Sequence, residues 1–336
     1  MVKSMSKKRI FIVYCILAML LLFCALLSVA CGVKSVGIQS VIGAFISNDA
    51  PALEVNIVLA RVPRTIFGIL AGAALGISGL LMQSITRNPI ADPSILGVNT
   101  GASLLVVCGI AFFHIQSGNQ YIWLAFCGAA LTAVLVYGLA SIGNGGATPI
   151  RLALAGAAAS TALQSLVNTV MLPNTQVMDQ FRFWQVGSIS GASWEDIWLM
   201  SPYLAVGFLL AFLLVPSLNT LALGDDVATG LGVNVTIVRG LAALAGVLLC
   251  ASVTALAGPI SFIGLMVPHL IRALVGPDLK KIMPLSAVCG ACVLLISDVL
   301  GRILGRPGEL ESGIITALIG GPVFIFIIRK VRVRSL

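Results

Sequence analysis

The chain has 336 residues, of which 59% are hydrophobic and only 10% charged, against about a quarter charged in soluble domains. So much apolar surface excludes a single water-facing fold, and in lipid only helices or closed barrels satisfy the backbone. The net charge of +8, which would hint at nucleic acid in a soluble protein, reads here as membrane topology.

The apolar runs are long and do not alternate, so the fold class predicted is all-α and integral to the membrane, one domain over 1–336 with no separate soluble enzyme. The first span covers 10–31, behind Lys7, Lys8 and Arg9. That start resembles a signal peptide, but the apolar run is too long for a typical h-region and predicts a retained span. The second covers 65–84. Its Gly68, Gly72, Gly76 and Gly79 at helical spacing predict a helix surrounded by other helices. Spans follow at 93–113, 121–142, 151–172 and 194–216.

A polar insert then interrupts the apolar pattern: Leu221–Val233, LALGDDVATGLGV. A corner would need four or five polar residues. Thirteen, with an amphipathic pattern and two adjacent acids, Asp225 and Asp226, predict a small structured knob outside the bilayer. Spans at 236–256, 259–275, 282–302 and 312–329 complete about ten of spanning length. Prolines at 89, 93, 259, 268 and 284 fall near span ends and predict broken or re-entrant turns. The stretches AGAALGISGLLM and AGPISFIGLMVP, from residues 71 and 257, are faintly alike. Of eight cysteines, Cys289 and Cys292 could form a redox or metal pair. On a helix they read instead as small packing neighbours.

An even number of spans with the N-terminus inside places both termini in the cytoplasm. Fourteen of the 20 basic residues then face inward, including Lys3 and the tail Arg329–Arg334. The outer six are Lys34, Arg61, Arg64, Arg182, Arg302 and Arg306. Arg61-Val-Pro-Arg64 is expected to end an outer loop just before the second span. Two readings stand for these arginines: compensation by Glu54, Glu309 and Glu311, or a basic patch that docks an acidic partner. Asp298 is the main charged candidate inside a span, one turn from Arg302.

No catalytic set, metal site or cofactor motif is present. The Gly-x-x-x-x-Gly-Lys-Ser/Thr phosphate loop is missing, so the chain is not expected to hydrolyse ATP itself. No span holds paired carboxylates or a His-x-x-x-His, and His114 and His269 read as structural. An ion-coupled carrier, the competing class, would need more intramembrane relays than Asp298.

Taken together these stretches resemble the FecCD-type permeases, the membrane subunits of bacterial ATP-binding-cassette (ABC) importers for iron-siderophores, haem and cobalamin. The resemblance rests on Arg61-Val-Pro-Arg64, GAALGISGLLMQSITRNPIADPSILGVNTGA (72–102), FWQVGSISGASW (183–194), residues 221–233, GPISFIGLMVPHLIR (258–272) and ELESGIITALIGGPVF (309–324). Where relatives commonly read Glu-Leu-Pro-Val-Gly, this chain has Glu309-Leu310-Glu311-Ser312-Gly313.

The resemblance implies a type II importer permease in the bacterial cytoplasmic membrane. It would pair with a second copy or paralogue, two cytoplasmic ATPase subunits and an extracytoplasmic substrate-binding protein, surrounded by lipid and without nucleic acid. The cargo implied is a metal chelate, ferric siderophore first, with haem or cobalamin as alternatives. Residues 221–233 resemble an ATPase-coupling segment, with Leu223, Gly224, Asp225, Asp226, Ala228, Gly230, Leu231 and Gly232 as its candidates; Asp225 and Asp226 would cap a short helix there. Arg61, Arg64 and Arg302 fall where relatives dock the binding protein, with Arg306 unassigned. Trp184, Gln185, Gly187 and Ser188 fall at a short helix near the outer gate.

Overall fold

The computed structural model describes residues 7–32, 37, 43, 52–115, 118–142 and 148–330. Lys3, Lys34, Arg332 and Arg334 lie outside the described residues. Among these residues the chain forms α1 (Lys7–Ala30), α2 (Ala52–Thr86), a 3₁₀ turn (Pro93–Leu96), α3 (Val98–Phe113), α4 (Gly118–Ser141) and α5 (Pro149–Met171). There follow α6 (Thr175–Val186), α7 (Trp194–Leu213), α8 (Val215–Leu221), α9 (Asp225–Gly230), α10 (Val235–Ala257), α11 (Ile263–Val275), α12 (Leu279–Leu304) and α13 (Ser312–Lys330). Seven of these, α1, α2, α4, α5, α7, α10 and α12, are long and apolar enough to cross a membrane; α3, α11 and α13 supply shorter apolar stretches. They fall in order on the predicted spans. The protein is an all-α, multi-pass membrane protein.

The glycine spacing in α2 makes it the central helix. The most apolar window of α2 is 78% buried, against 22% for α5. A Cβ at Gly72 would lie 2.4 Å from the Gly290 carbonyl oxygen, one at Gly76 2.5 Å from that of Ser286, and one at Gly79 1.9 Å from that of Gly264. Backbone meets backbone at each point, so α11 and α12 seat directly on α2. Lipid gives no hydrophobic drive for helix association, and close packing of this kind replaces it. Gly79 and Gly264 both come from the two stretches that look faintly alike. Cys289 and Cys292 are free thiols, and Cys292 packs with Cys24 and Leu295.

Several boundaries differ from expectation. The helix of the second span begins at Ala52, so Arg61 and Arg64 lie inside α2 and not in a loop, with Pro63 between them. Their polarity hid the helix; partners described below neutralise it. The span expected at 93–113 is broken at Gly97, whose φ of +70 turns the 3₁₀ segment into α3. Only residues 263–275 of the span expected at 259–275 are helical. Pro268 and Pro284 end no helix and stand inside α11 and α12.

The non-helical stretches that begin at Gly187 and Gly258 pack on each other and on the start of α13. The Ser188 amide donates to the Ala257 carbonyl at 2.7 Å, and the Gly313 amide to the Gly187 carbonyl at 2.9 Å. Irregular backbone within a membrane protein is tolerated where protein satisfies it in this way.

Candidate functional site

Four regions carry polar chemistry. At one end, arginines converge on the C-terminus of α1. Arg302 donates to the carbonyls of Ser28 at 2.8 Å and Cys31 at 2.9 Å, Arg61 to those of Val29 and Ala30, and Arg306 to that of Gly32 at 2.6 Å. These are the orphan carbonyls of a helix end, and cations there also meet the negative end of the macrodipole.

Asp298 anchors the same cluster. It pairs with Arg302 at 2.7 Å, as the one-turn spacing implied, and with Arg64 at 2.7 Å; Arg64 also reaches Glu309 at 2.8 Å. Arg302 and Asp298 are each 1% exposed. Two arginines and two carboxylates make a neutral set, which is what lets it sit inside a helix bundle. Of the three arginines singled out by sequence, Arg61 is partly exposed, Arg64 is buried with Glu309 as its exposed-side neighbour, and Arg302 is covered.

The second region is a cleft of about 500 Å³ where α6, the segment before α11 and α13 meet. Gln185 and Val186 line it opposite Ser261, Phe262, Gly313 and Ile314. Trp184 lies beside it, stacked on Phe181 at 5.9 Å between ring centroids. Gly187 holds φ +79 against Pro259, where a Cβ would come within 2.6 Å of the carbonyl oxygen. Ser188 makes the backbone bond to Ala257. The four residues 184, 185, 187 and 188 are therefore together. Sequence reading missed Phe262, which holds φ +70 without being glycine, a costly conformation kept only by its surroundings.

The third region was also missed. Thr161, Gln164, Ser165 and Asn168 line one face of α5, and with Thr100 and Ser160 they border a groove of about 390 Å³. The hydroxyls of Thr161 and Ser165 bond back to carbonyls four residues earlier, and Gln164 donates to Asn168 at 3.2 Å. Two amides on a spanning helix are poorly suited to lipid. Polar residues recurring at helical spacing within the 151–172 span were the available signal.

The fourth region is the opposite end. Short α9 projects there between Gly224 (φ +123) and Gly232 (φ +82). Neither acid caps it: the N-cap is Gly224, without a side-chain hydrogen bond, and Asp225 and Asp226 sit in the first turn. Asp225 instead pairs with Arg87 and Arg239. Leu223, Gly230, Leu231 and Gly232 are exposed, while Ala228 is the buried residue of α9. Nearby, Asp278 caps α12 through the Lys280 amide. Burial raises its carboxyl, but the Lys280 amide, the Asn219 side chain and the Lys281 ammonium outweigh this and hold it below the usual 3.8.

These features coincide with known sequences and folds. The FecCD transport family matches residues 20–330. The ferric enterobactin transport system permease protein FepD of Escherichia coli (strain K12) is 42% identical over 315 residues, 94% of each chain. The Fe(3+)-citrate import system permease protein YfmD of Bacillus subtilis (strain 168) is 41% identical over 272 residues, 81% of this chain and 80% of that one. A chain described as of the metal-chelate type of ABC transporter, solved in an inward-facing conformation, superposes with a TM-score of 0.81 at 27% identity, covering 95% of this chain and 99% of that one.

Proposed function

The chain belongs to the FecCD transport family, and from that premise we propose that it is the membrane subunit of an ABC importer that passes a metal chelate into a bacterial cell, ferric siderophore before haem or cobalamin. The observation that carries the cargo is the end-to-end likeness to a ferric enterobactin permease. The subunit works with a second copy or paralogue, two cytoplasmic ATPase subunits and an extracytoplasmic binding protein. Both termini lie in the cytoplasm. The whole chain is one permease domain, and 221–233 is its ATPase-coupling segment.

The neutral face of α5 supports a pathway role. Hydroxyls and amides offer a bulky chelate hydrogen bonds without a fixed charge to trap it. Together with the cleft at Gln185, it forms the path between two subunits, and residues 184–188 gate its outer end. The arginine cluster forms the docking face. Arg61 and the Arg64–Glu309 edge meet the binding protein, and buried Arg302 holds Arg64 in place through Asp298. ATP binding closes the ATPase subunits, which move the 221–233 segments and switch access to the path.

The test is uptake of iron-labelled ferric siderophore by cells lacking their own permease and supplied with this chain, ATPase and binding protein. Uptake that requires all three is expected. Uptake by the chain without the ATPase would show an ion-coupled carrier instead. Transport of haem or cobalamin but no ferric siderophore would change the cargo. For docking, Arg61→Glu is expected to weaken binding-protein capture; unchanged capture would remove Arg61 from that face.

A further inference from the structure

The two acids of the 221–233 segment are neighbours in sequence and differ in the fold. Asp226 is exposed. Asp225 accepts hydrogen bonds from Arg239, through Oδ1 at 2.9 Å and Oδ2 at 3.0 Å, and from Arg87. Arg87 also donates to the Leu221 carbonyl at 2.8 Å. It is the first residue beyond α2 and holds φ +51, a left-handed conformation that a residue with a side chain adopts only under constraint. Arg239 lies in the second turn of α10 with its side chain 6% exposed. One carboxylate thus joins α9 to the ends of α2 and α10, two helices whose apolar windows are 78% and 72% buried.

The other side of the segment has the opposite character. Leu223, Val227 and Leu231 are 66%, 48% and 64% exposed. An apolar group of this kind at a polar end of the molecule marks a protein contact. Glycine flanks α9 on both sides, and a Cβ at Gly232 would meet nothing within 4 Å. Hinges of this kind pass little force by themselves.

We propose that Asp225 is a positioning residue: it locks α9 to α2 and α10 through Arg87 and Arg239, so that a push on the Leu223, Val227 and Leu231 surface reaches the central helices. The ATPase subunit touches that apolar surface and not Asp225. This rests on the reading of 221–233 as the ATPase-facing segment. Movement of the surface without the clamp is absorbed at Gly224 and Gly232, and ATP is spent without moving cargo.

The experiment uses the reconstituted complex of permease, ATPase and binding protein with ferric siderophore. Asp225→Asn is expected to keep the ATPase subunits bound while cargo moved per ATP falls about tenfold. Asp225→Glu should recover most of the loss. Adding Arg87→Gln to Asp225→Asn should lower the ratio no further, since both changes cut one link. Leu231→Asp should release the ATPase. Release of the ATPase by Asp225→Asn, or an unchanged ratio of cargo to ATP, would overturn the clamp. ATPase retention by both Leu231→Asp and Val227→Asp would instead overturn the reading of the segment as the ATPase handle, whatever Asp225→Asn does.

Discussion

Asp298 is the residue on which most internal charge depends. It is 1% exposed and faces the guanidinium groups of Arg64 and Arg302 at 2.7 Å each. Removing a carboxylate from such a site leaves buried cations unpaired, at a cost of about 3–5 kcal/mol. Asp298→Ala should therefore lower the thermal unfolding midpoint in detergent sharply or abolish recovery of folded protein. Glu309 holds the outer edge of the same network with its side chain 35% exposed, where solvent screens the pair to about 1 kcal/mol or less. Glu309→Gln should leave the unfolding midpoint nearly unchanged; a loss as large as that of Asp298→Ala would show that the edge is as dry as the centre. The one-turn spacing made the Asp298–Arg302 pair legible in the sequence. The Arg64 pair was not, because 234 residues separate its members and only the packing of α2 on α12 joins them.

Elements meet here through what their side chains leave out. Gly79 of α2 lies against Gly264 of α11 so closely that a methyl group would collide with backbone, and backbone cannot rotate aside. Gly79→Ala should destabilise the subunit by about 1–3 kcal/mol, read as a lower unfolding midpoint. Gly138→Ala on α4, with nothing within 4 Å of the added carbon, is the matched control and should be neutral or better. At the start of α12 the Asp278 carboxyl is held below its ordinary 3.8. A depressed folded-state value means that its stabilisation is present above that ordinary value and is lost as pH falls through the lower one. The unfolding midpoint of Asp278→Asn should therefore lie below that of the parent at neutral pH, and the gap should close on acidification. A constant gap would mean that the amide contacts and not the charge do the holding.

For the whole molecule the telling surface is α5, spanning in length yet little covered by its own subunit. A cysteine placed at Gln164 should react with a membrane-impermeant maleimide in the assembled importer. One at Leu166, an apolar residue 51% exposed, should stay unreactive in lipid. Equal labelling would remove the pathway reading of this face. By itself the sequence determined the solvent, the all-helical class, the glycine-lined central helix and the family, since these follow from composition and local spacing, which lipid and backbone hydrogen bonding read directly. It also marked 221–233 and the group Arg61, Arg64 and Arg302 as exceptions. Only the tertiary structure decided how those exceptions are placed: that α2 runs through Arg61 and Arg64, that Arg302 closes the end of α1, and that Asp225 pairs with Arg87 and Arg239 while Asp226 is left exposed. A charge inside a bundle is governed by partners brought from distant helices, and nothing in the residues next to it in the chain says which helix will arrive.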